Sequence, residues 1–330
     1  MSTTIKDVAK ASGVSVATVS RVLNNSASVS EETARRVNEA IKKLNYRPNF
    51  LGRNLRKCET NIILAIIPST EYTYYSEVIH GMQSKAAELG YDILVSTSNS
   101  HYKLERHLLS MLTNRIVDAA VFMGTRLEPE LLSDMNEQYC VSLCCERIPD
   151  CNLFTVNVDD VKAAYDAVSY LISKGHKDIA MISTGGSAYS SSDREKGYRM
   201  ALEEHGIELK RRYLFQGGYD YKNGGYALEK FMQLDDKPTA VFAVSDMLAI
   251  GAVRKAREMN IEVGKDMAVM GFDNIAMTEM YVPSISTVEQ PCYKMGRIVV
   301  EKTIENLSNK INYGRHIVEH KLILRQSTGD

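Results

Sequence analysis

Apolar positions in the first 47 residues recur at intervals of three and four. Ile5, Val8 and Ala9 share one helical face, and Thr4 with Asp7 three residues on forms a capping box ahead of them. Ser12-Gly13-Val14-Ser15 breaks the pattern; Gly13 can take the positive φ of a tight turn and Ser15 can cap the next helix. That second helix, through VATVSRVLN, turns Val19, Val22 and Leu23 inward. Val16, Ala17, Thr18, Ser20 and Arg21 then face outward. Ser30 opens a third helix, with Ala34, Val37, Ile41 and Leu44 on its inner face. The pattern predicts a three-helix unit over residues 1–47 whose first two helices flank a glycine-containing turn, the helix-turn-helix arrangement. In that arrangement the second helix reads base edges in the major groove, and an arginine such as Arg21 can fork onto guanine.

From residue 61 the period changes. IILAII, YDILVS and DAAVFM are strand-like runs separated by the helical stretches SEVIHGMQSKAAEL and ERHLLSMLTNR. The rhythm repeats from about residue 160 with DIAMIS, TAVFAV and MAVMGF between amphipathic helices. This is the βαβ signature of parallel sheets, and two similar halves predict two α/β lobes. Ligands of such folds sit beyond the carboxyl ends of strands. The residues there are Tyr72, Tyr74 and Tyr75, then Asp193 and Arg194, Tyr219, Ser245 with Asp246, and Asp273 with Asn274. Flat rings with forked polar groups suit a sugar-like ligand, apolar on its faces and hydroxylated at its rim. Each has a plainer reading. Asp246 can cap a helix, Asp273 in GFDN can form a turn, Arg194 can bridge the lobes, and the tyrosines can be surface or dimer contacts.

Charge sharpens the division. Residues 1–60 carry eleven Lys and Arg against five Asp and Glu, a balance of +6, and the remainder carries −7. A basic head on an acidic body points to a polyanion met by the head alone. No apolar run reaches the length of a membrane span and the N-terminus MSTTIKDVAK has no secretory pattern, so a cytoplasmic, membrane-free protein is expected. Of the six cysteines, Cys140, Cys144, Cys145 and Cys151 crowd together, but their spacing fits no usual zinc pattern and free thiols are expected. No phosphate loop, dinucleotide fingerprint, nucleophile elbow or histidine dyad is readable, so neither enzyme activity nor a cofactor or metal is expected.

The string IKDVAKASGVSVATVSRVLNN resembles the N-terminal signature of the LacI/GalR family of bacterial repressors nearly residue for residue. The resemblance implies three parts: a DNA-binding head over 1–47, a hinge helix and linker over 48–60, and a periplasmic-binding-protein-like core over 61–330. Its lobes are expected over 61–160 plus 291–322, and over 161–290 plus 323–330. In YRPNFLGRNLRKCET, Leu55 matches the wedge that such hinge helices push into the minor groove. Asn24, Tyr46 and Arg53 match phosphate contacts, and Thr4, Ser15 and Asn49 complete the expected DNA-facing set. Gly52 stands where alanine is usual, which weakens the hinge helix by about 1 kcal/mol. Arg194 in R-x-x-G-Y and Asp273 in G-F-D-N match effector contacts, and Tyr74, Tyr75 and Tyr219 match aromatic pocket positions. The implied protein is a homodimer on a near-palindromic operator, governed by a sugar or sugar phosphate. KPTAVFAVSDMLAIGAV, STVEQPCYKMG and LRQST are most similar to catabolite control proteins, whose partner is a serine-phosphorylated phosphocarrier protein. Lys294, Glu301 and Leu89 depart from that pattern, with charge signs reversed at the first two, and disfavour that partner.

Overall fold

A computed structural model describes residues 3–23, 29–46, 59–309 and 313–330. The chain divides into two compact units, Met1–Glu59 and Thr60–Asp330.

In the first unit, α1 (Ile5–Ser12), α2 (Val16–Leu23) and α3 (Glu31–Lys43) surround a small core of Val8, Val19 and Val37, all fully buried, with Ala9 and Ala40. The Asp7 carboxylate accepts from the Thr4 amide at 2.9 Å and the Thr4 hydroxyl at 2.8 Å, fixing the start of α1. Gly13 ends α1 at φ +67°. The turn is clamped from α3, where Arg36 donates to the Ser12 carbonyl at 2.6 Å. Ser15 caps α2 by accepting the Thr18 amide at 3.1 Å. Ala34 is only half-buried, and Ala40, further along α3, takes the inward place expected of it.

The second unit holds two six-stranded sheets. The first contains β1 (Ile62–Ile67), β2 (Asp92–Thr97), β3 (Ala119–Phe122), β4 (Cys140–Cys144), β5 (Phe154–Asn157) and β11 (Gly314–Ile317), ordered β11-β5-β4-β3-β1-β2 and parallel throughout. The second contains β6 (Ile179–Ser183), β7 (Leu214–Gln216), β8 (Ala240–Ala243), β9 (Ala268–Asp273), β10 (Ser286–Glu289) and β12 (Lys321–Ile323), ordered β12-β10-β9-β8-β6-β7. Only β12 runs antiparallel to its neighbour. The chain therefore passes between the sheets three times. Its last passage lies between Ile317 and Lys321, so β12 belongs whole to the second sheet and the boundary expected after residue 322 falls earlier, ahead of Lys321.

Helices α4 (Tyr74–Glu88), α5 (Tyr102–Thr113), α6 (Pro129–Gln138) and α12 (Cys292–Asn309) pack with the first sheet. Helices α7 (Asp160–Ser173), α8 (Tyr189–Glu204), α9 (Tyr221–Met232), α10 (Asp246–Glu258) and the short α11 (Ala276–Met280) belong with the second. Covered sheet faces explain the continuous apolar runs: Ile63 to Ile66 are fully buried, as are Val241 to Val244. Glycines let helices cross at backbone distance. A Cβ at Gly81 of α4 would overlap the Tyr293 carbonyl of α12, and one at Gly296 of α12 would overlap the Val78 carbonyl of α4.

Candidate functional site

A cavity of about 590 Å³ opens where the strands of both sheets end at their carboxyl termini. Strand β1 leads to Tyr72, Tyr74 and Tyr75, and β4 leads to Cys145 and Glu146. From the second sheet come Ser190 and Arg194 on α8, Tyr219 after β7, Ser245 after β8, and Asp273 at the end of β9. The cavity thus gathers Tyr74, Tyr75, Arg194, Tyr219, Ser245 and Asp273 of the expected set. The tyrosines form one aromatic wall: Tyr74 and Tyr75 meet edge to face at 5.2 Å, Tyr72 and Tyr75 at 6.4 Å, and Tyr72 reaches Tyr219 across the cleft at 5.8 Å.

Arg194 is buried, and its guanidinium stacks 3.6 Å from the centroid of Phe272. Its Nε donates to Asp160 at 2.8 Å and its Nη1 to the Val244 carbonyl at 2.6 Å, while Asp273 lies 3.6 Å from Nη1. Asp160 opens α7, which packs with the second sheet, so the boundary expected after residue 160 falls ahead of it and Arg194 is not a bridge between lobes. Burial opposes the guanidinium charge, but Asp160 and Asp273 more than offset it and hold the proton firmly. The bridge runs elsewhere. Tyr74 donates to Gln290 Oε1 at 3.0 Å, and Gln290 Nε2 donates to Asp273 at 2.7 Å. Asp273 also makes the expected turn, at φ +122° with Asn274 at φ +57°, a conformation that costs backbone strain in a non-glycine residue.

Asp246 requires correction. It neither lines the cavity nor caps α10: Ser245 is the cap, accepting the Leu248 amide at 3.4 Å. As the first helical residue, Asp246 turns under the cleft floor and is fully buried. There it accepts from the Ile275 amide at 2.9 Å and the Thr287 hydroxyl at 2.6 Å, tying α10 to the turn after β9 and to β10. Burial raises its carboxyl well above the usual range. Replacing it with alanine strips two buried donors of their acceptor, and loosening of that floor is expected to cost about 2 kcal/mol by denaturant melting.

Glu146, Asp160 and Gln290 are site residues that the sequence pattern does not single out. Glu146 is buried and accepts from the Ser190 amide at 2.6 Å and the Ser190 hydroxyl at 3.2 Å, a second link across the cleft. Its one signal is an acid just past the apolar run CVSLC, which the cysteine crowding obscures. Burial pushes the Glu146 carboxyl up to about 7, and burial does the same to Asp273 in spite of Arg194. An acid raised in the fold keeps its proton after the unfolded chain has lost it, so its contribution to stability is complete below about pH 4 and lost as pH rises to about 7. The chain should therefore lose stability relative to Glu146→Gln across that window, by on the order of 2–3 kcal/mol, with a flat difference above about pH 8. Urea midpoints at stepped pH check this.

In the head, Val16, Ala17 and Arg21 are exposed on α2, with Thr18 and Ser20 half-buried beside them. Thr4 and Ser15 serve as caps, and Tyr46 packs partly against the small core. Asn24, Asn49, Arg53 and Leu55, with Gly52 and Cys58, lie outside the described residues. Cys140, Cys144, Cys145 and Cys292 are buried free thiols, and no His, Cys, Asp and Glu cluster suited to a metal ion occurs among the described residues. None of the described helices is long and apolar enough to cross a membrane.

Comparison with known proteins agrees with this arrangement. Residues 4–49 match the model of bacterial regulatory proteins of the lacI family, and residues 168–328 match a periplasmic binding protein-like domain. The chain is 36% identical to the HTH-type transcriptional regulator RegA of Clostridium saccharobutylicum, over 99% of this chain and 100% of that protein. It is 34% identical to catabolite control protein A of Priestia megaterium over the same shares, and 32% identical to the transcriptional repressor CytR of Escherichia coli over 98% and 96%. A lac repressor dimer bound to operator and an anti-inducer shares the fold, with a TM-score of 0.90 at 23% identity over 99% of each chain. The transcriptional regulator CelR in complex with cellobiose superposes with a TM-score of 0.75 at 26% identity, over 98% of this chain and 99% of that one. The chain is a member of the LacI family of bacterial transcription regulators.

Proposed function

We propose that the chain is a cytoplasmic repressor of carbohydrate-related genes, which binds a near-palindromic operator as a homodimer and whose grip is set by a small polyhydroxylated effector in the cleft. The observation that carries this reading is the Tyr74–Gln290–Asp273 chain ending beside Arg194. It joins the two halves, and both its ends, Tyr74 and Asp273, line the cavity, so a ligand competing for those two groups biases the cleft between open and closed. In this reading the exposed first turns of α2 enter the major groove. Small side chains at Val16, Ala17 and Ser20 permit close approach, and Arg21 forks onto a guanine. Arg126 is exposed at the cavity rim, and Arg194 is the buried cation of the pocket.

Docking of a phosphocarrier protein is disfavoured by the charges of the α4–α12 face. Glu301 pairs with Lys85 at 3.0 Å, and Arg297 forks onto Glu88 at 2.7 and 3.0 Å. Of the cations on this face, Lys85 and Arg297 are thereby already engaged.

Electrophoretic mobility shift with duplexes selected from a random pool tests the DNA half of the reading. The selected duplex should be bound in preference to a scrambled one, with affinity falling steeply as salt rises. Arg21→Ala should cost about 1–3 kcal/mol on the selected duplex and little on the scrambled one. Equal loss on both would assign Arg21 to phosphate rather than base recognition.

A further inference from the structure

We propose that the cleft ligand is an amine-bearing polyol, such as an aminosugar, and that Glu146 receives its ammonium group. The inference rests on the sugar-effector reading above and narrows its ligand class. Four carboxylates lie in or just under the cleft: the buried Glu146, Asp160 and Asp246, and the partly buried Asp273. The cations available to them are already committed. Arg194 is used by Asp160 and the Val244 carbonyl, with Asp273 as its second acid. Arg325, behind the floor, donates to Asn274, Thr278 and the Ile285 carbonyl, and only its field reaches Asp246. Arg147 pairs with Asp193 at 3.5 Å, and Arg126 is exposed at the rim, where water screens it.

Glu146 is left with neutral hydrogen-bond partners, and of the cations only the field of Arg194 reaches it. Both of its oxygens accept from Ser190, one from the amide and one from the hydroxyl, and Glu146 lines the cavity. A buried carboxylate held only by neutral donors is relieved by a proton or by a cation brought alongside. The raised carboxyls of Glu146 and Asp273 record the first of these. An ammonium from the ligand supplies the second, and the tyrosine wall of Tyr72, Tyr75 and Tyr219 stabilises it through the negative faces of its rings. A metal ion is not the cation, since no suitable donor cluster occurs among the described residues. A sugar phosphate adds negative charge to a floor already rich in acid, and is the class this cavity rejects.

Isothermal titration of the full chain with matched sets tests the proposal. Glucose, galactose, maltose and trehalose are each offered as parent, amino-deoxy derivative and phosphate. An amino derivative should bind tightest, at least about tenfold tighter than its parent, and Glu146→Gln should remove that preference. Glu146→Asp, which keeps the charge one methylene back, should retain part of it, and melting curves report whether each variant is folded. A phosphate or neutral parent that binds tightest overturns the amine assignment and leaves the sugar reading standing, as does an amine preference that survives Glu146→Gln. If no member of any set binds, the sugar reading itself falls and the amine assignment with it.

Discussion

Arg194→Ala is expected to lower the stability of the Thr60–Asp330 unit by about 3–5 kcal/mol, the usual cost of removing one partner of a buried ion pair. Three acceptors lose their donor or counter-charge together: the Asp160 carboxylate, the Val244 carbonyl and Asp273. Asp160 and the Val244 carbonyl are closed to water, and Asp273 at the cavity wall is only partly open to it. At about 2–4 °C per kcal/mol for a domain of this size, the melting temperature should fall by roughly 10 °C. The loss should shrink in acid, where Asp160 and Asp273 take protons in place of the guanidinium. Burial already raises both carboxyls, Asp273 to about 7, so relief at Asp273 begins near neutral pH. Arg194→Lys keeps one charge but not the fork that serves Nε and Nη1 partners at once, and should fall between. A loss under about 1 kcal/mol at pH 8 would mean that the carboxylates find other relief, and the charge accounting of the cleft floor would be wrong.

The second large effect is steric. Gly224 of α9 and Gly251 of α10 sit at one helix crossing, where a Cβ at the first overlaps the Leu248 carbonyl and a Cβ at the second overlaps the Tyr221 carbonyl. Backbone cannot step aside as a side-chain tip can, so the helices must separate. Overpacking of this kind costs about 1–3 kcal/mol or more. The gain of about 1 kcal/mol in helix propensity from glycine to alanine offsets part of it. Gly251→Ala should therefore destabilise by about 2 kcal/mol net, by urea melting. The double variant with Gly224→Ala should cost less than the two single losses together, because separation forced by the first Cβ makes room for the second. Full additivity would place the two glycines at independent contacts and contradict the crossing.

Legibility in the chain alone depends on how local each signal is. The turn between α1 and α2 is set by Gly13 and Ser15 within a few residues, so the outward face of α2 is legible. Strands β3 and β8 are fully covered, as are β1 after Ile62 and β9 before Asp273, and these stretches appear as unbroken apolar runs. Strand β4 is interrupted by the polar Ser142, which finds Thr303 at 3.0 Å, a partner 161 residues away. Its cysteines draw attention to metal chemistry and away from Glu146. Asp246 and Ser245 are adjacent after β8. Which of two neighbours faces the cleft and which turns under it depends on where α10 begins and on what β9 and β10 offer beneath. Asp160 and Gln290 are likewise ordinary in sequence and acquire meaning only through Arg194 and Asp273, more than thirty residues away for the first and seventeen for the second.

The most direct test of the account couples its two ends. Fluorescence anisotropy of a selected near-palindromic duplex, titrated with full-length chain, is measured with and without the tightest ligand found by calorimetry. The duplex dissociation constant should shift by about 5–150-fold, in whichever direction the ligand biases the cleft. The reciprocal measurement, ligand affinity with and without duplex, should shift by the same factor. A ligand that saturates the cleft yet leaves duplex affinity unchanged would contradict the account.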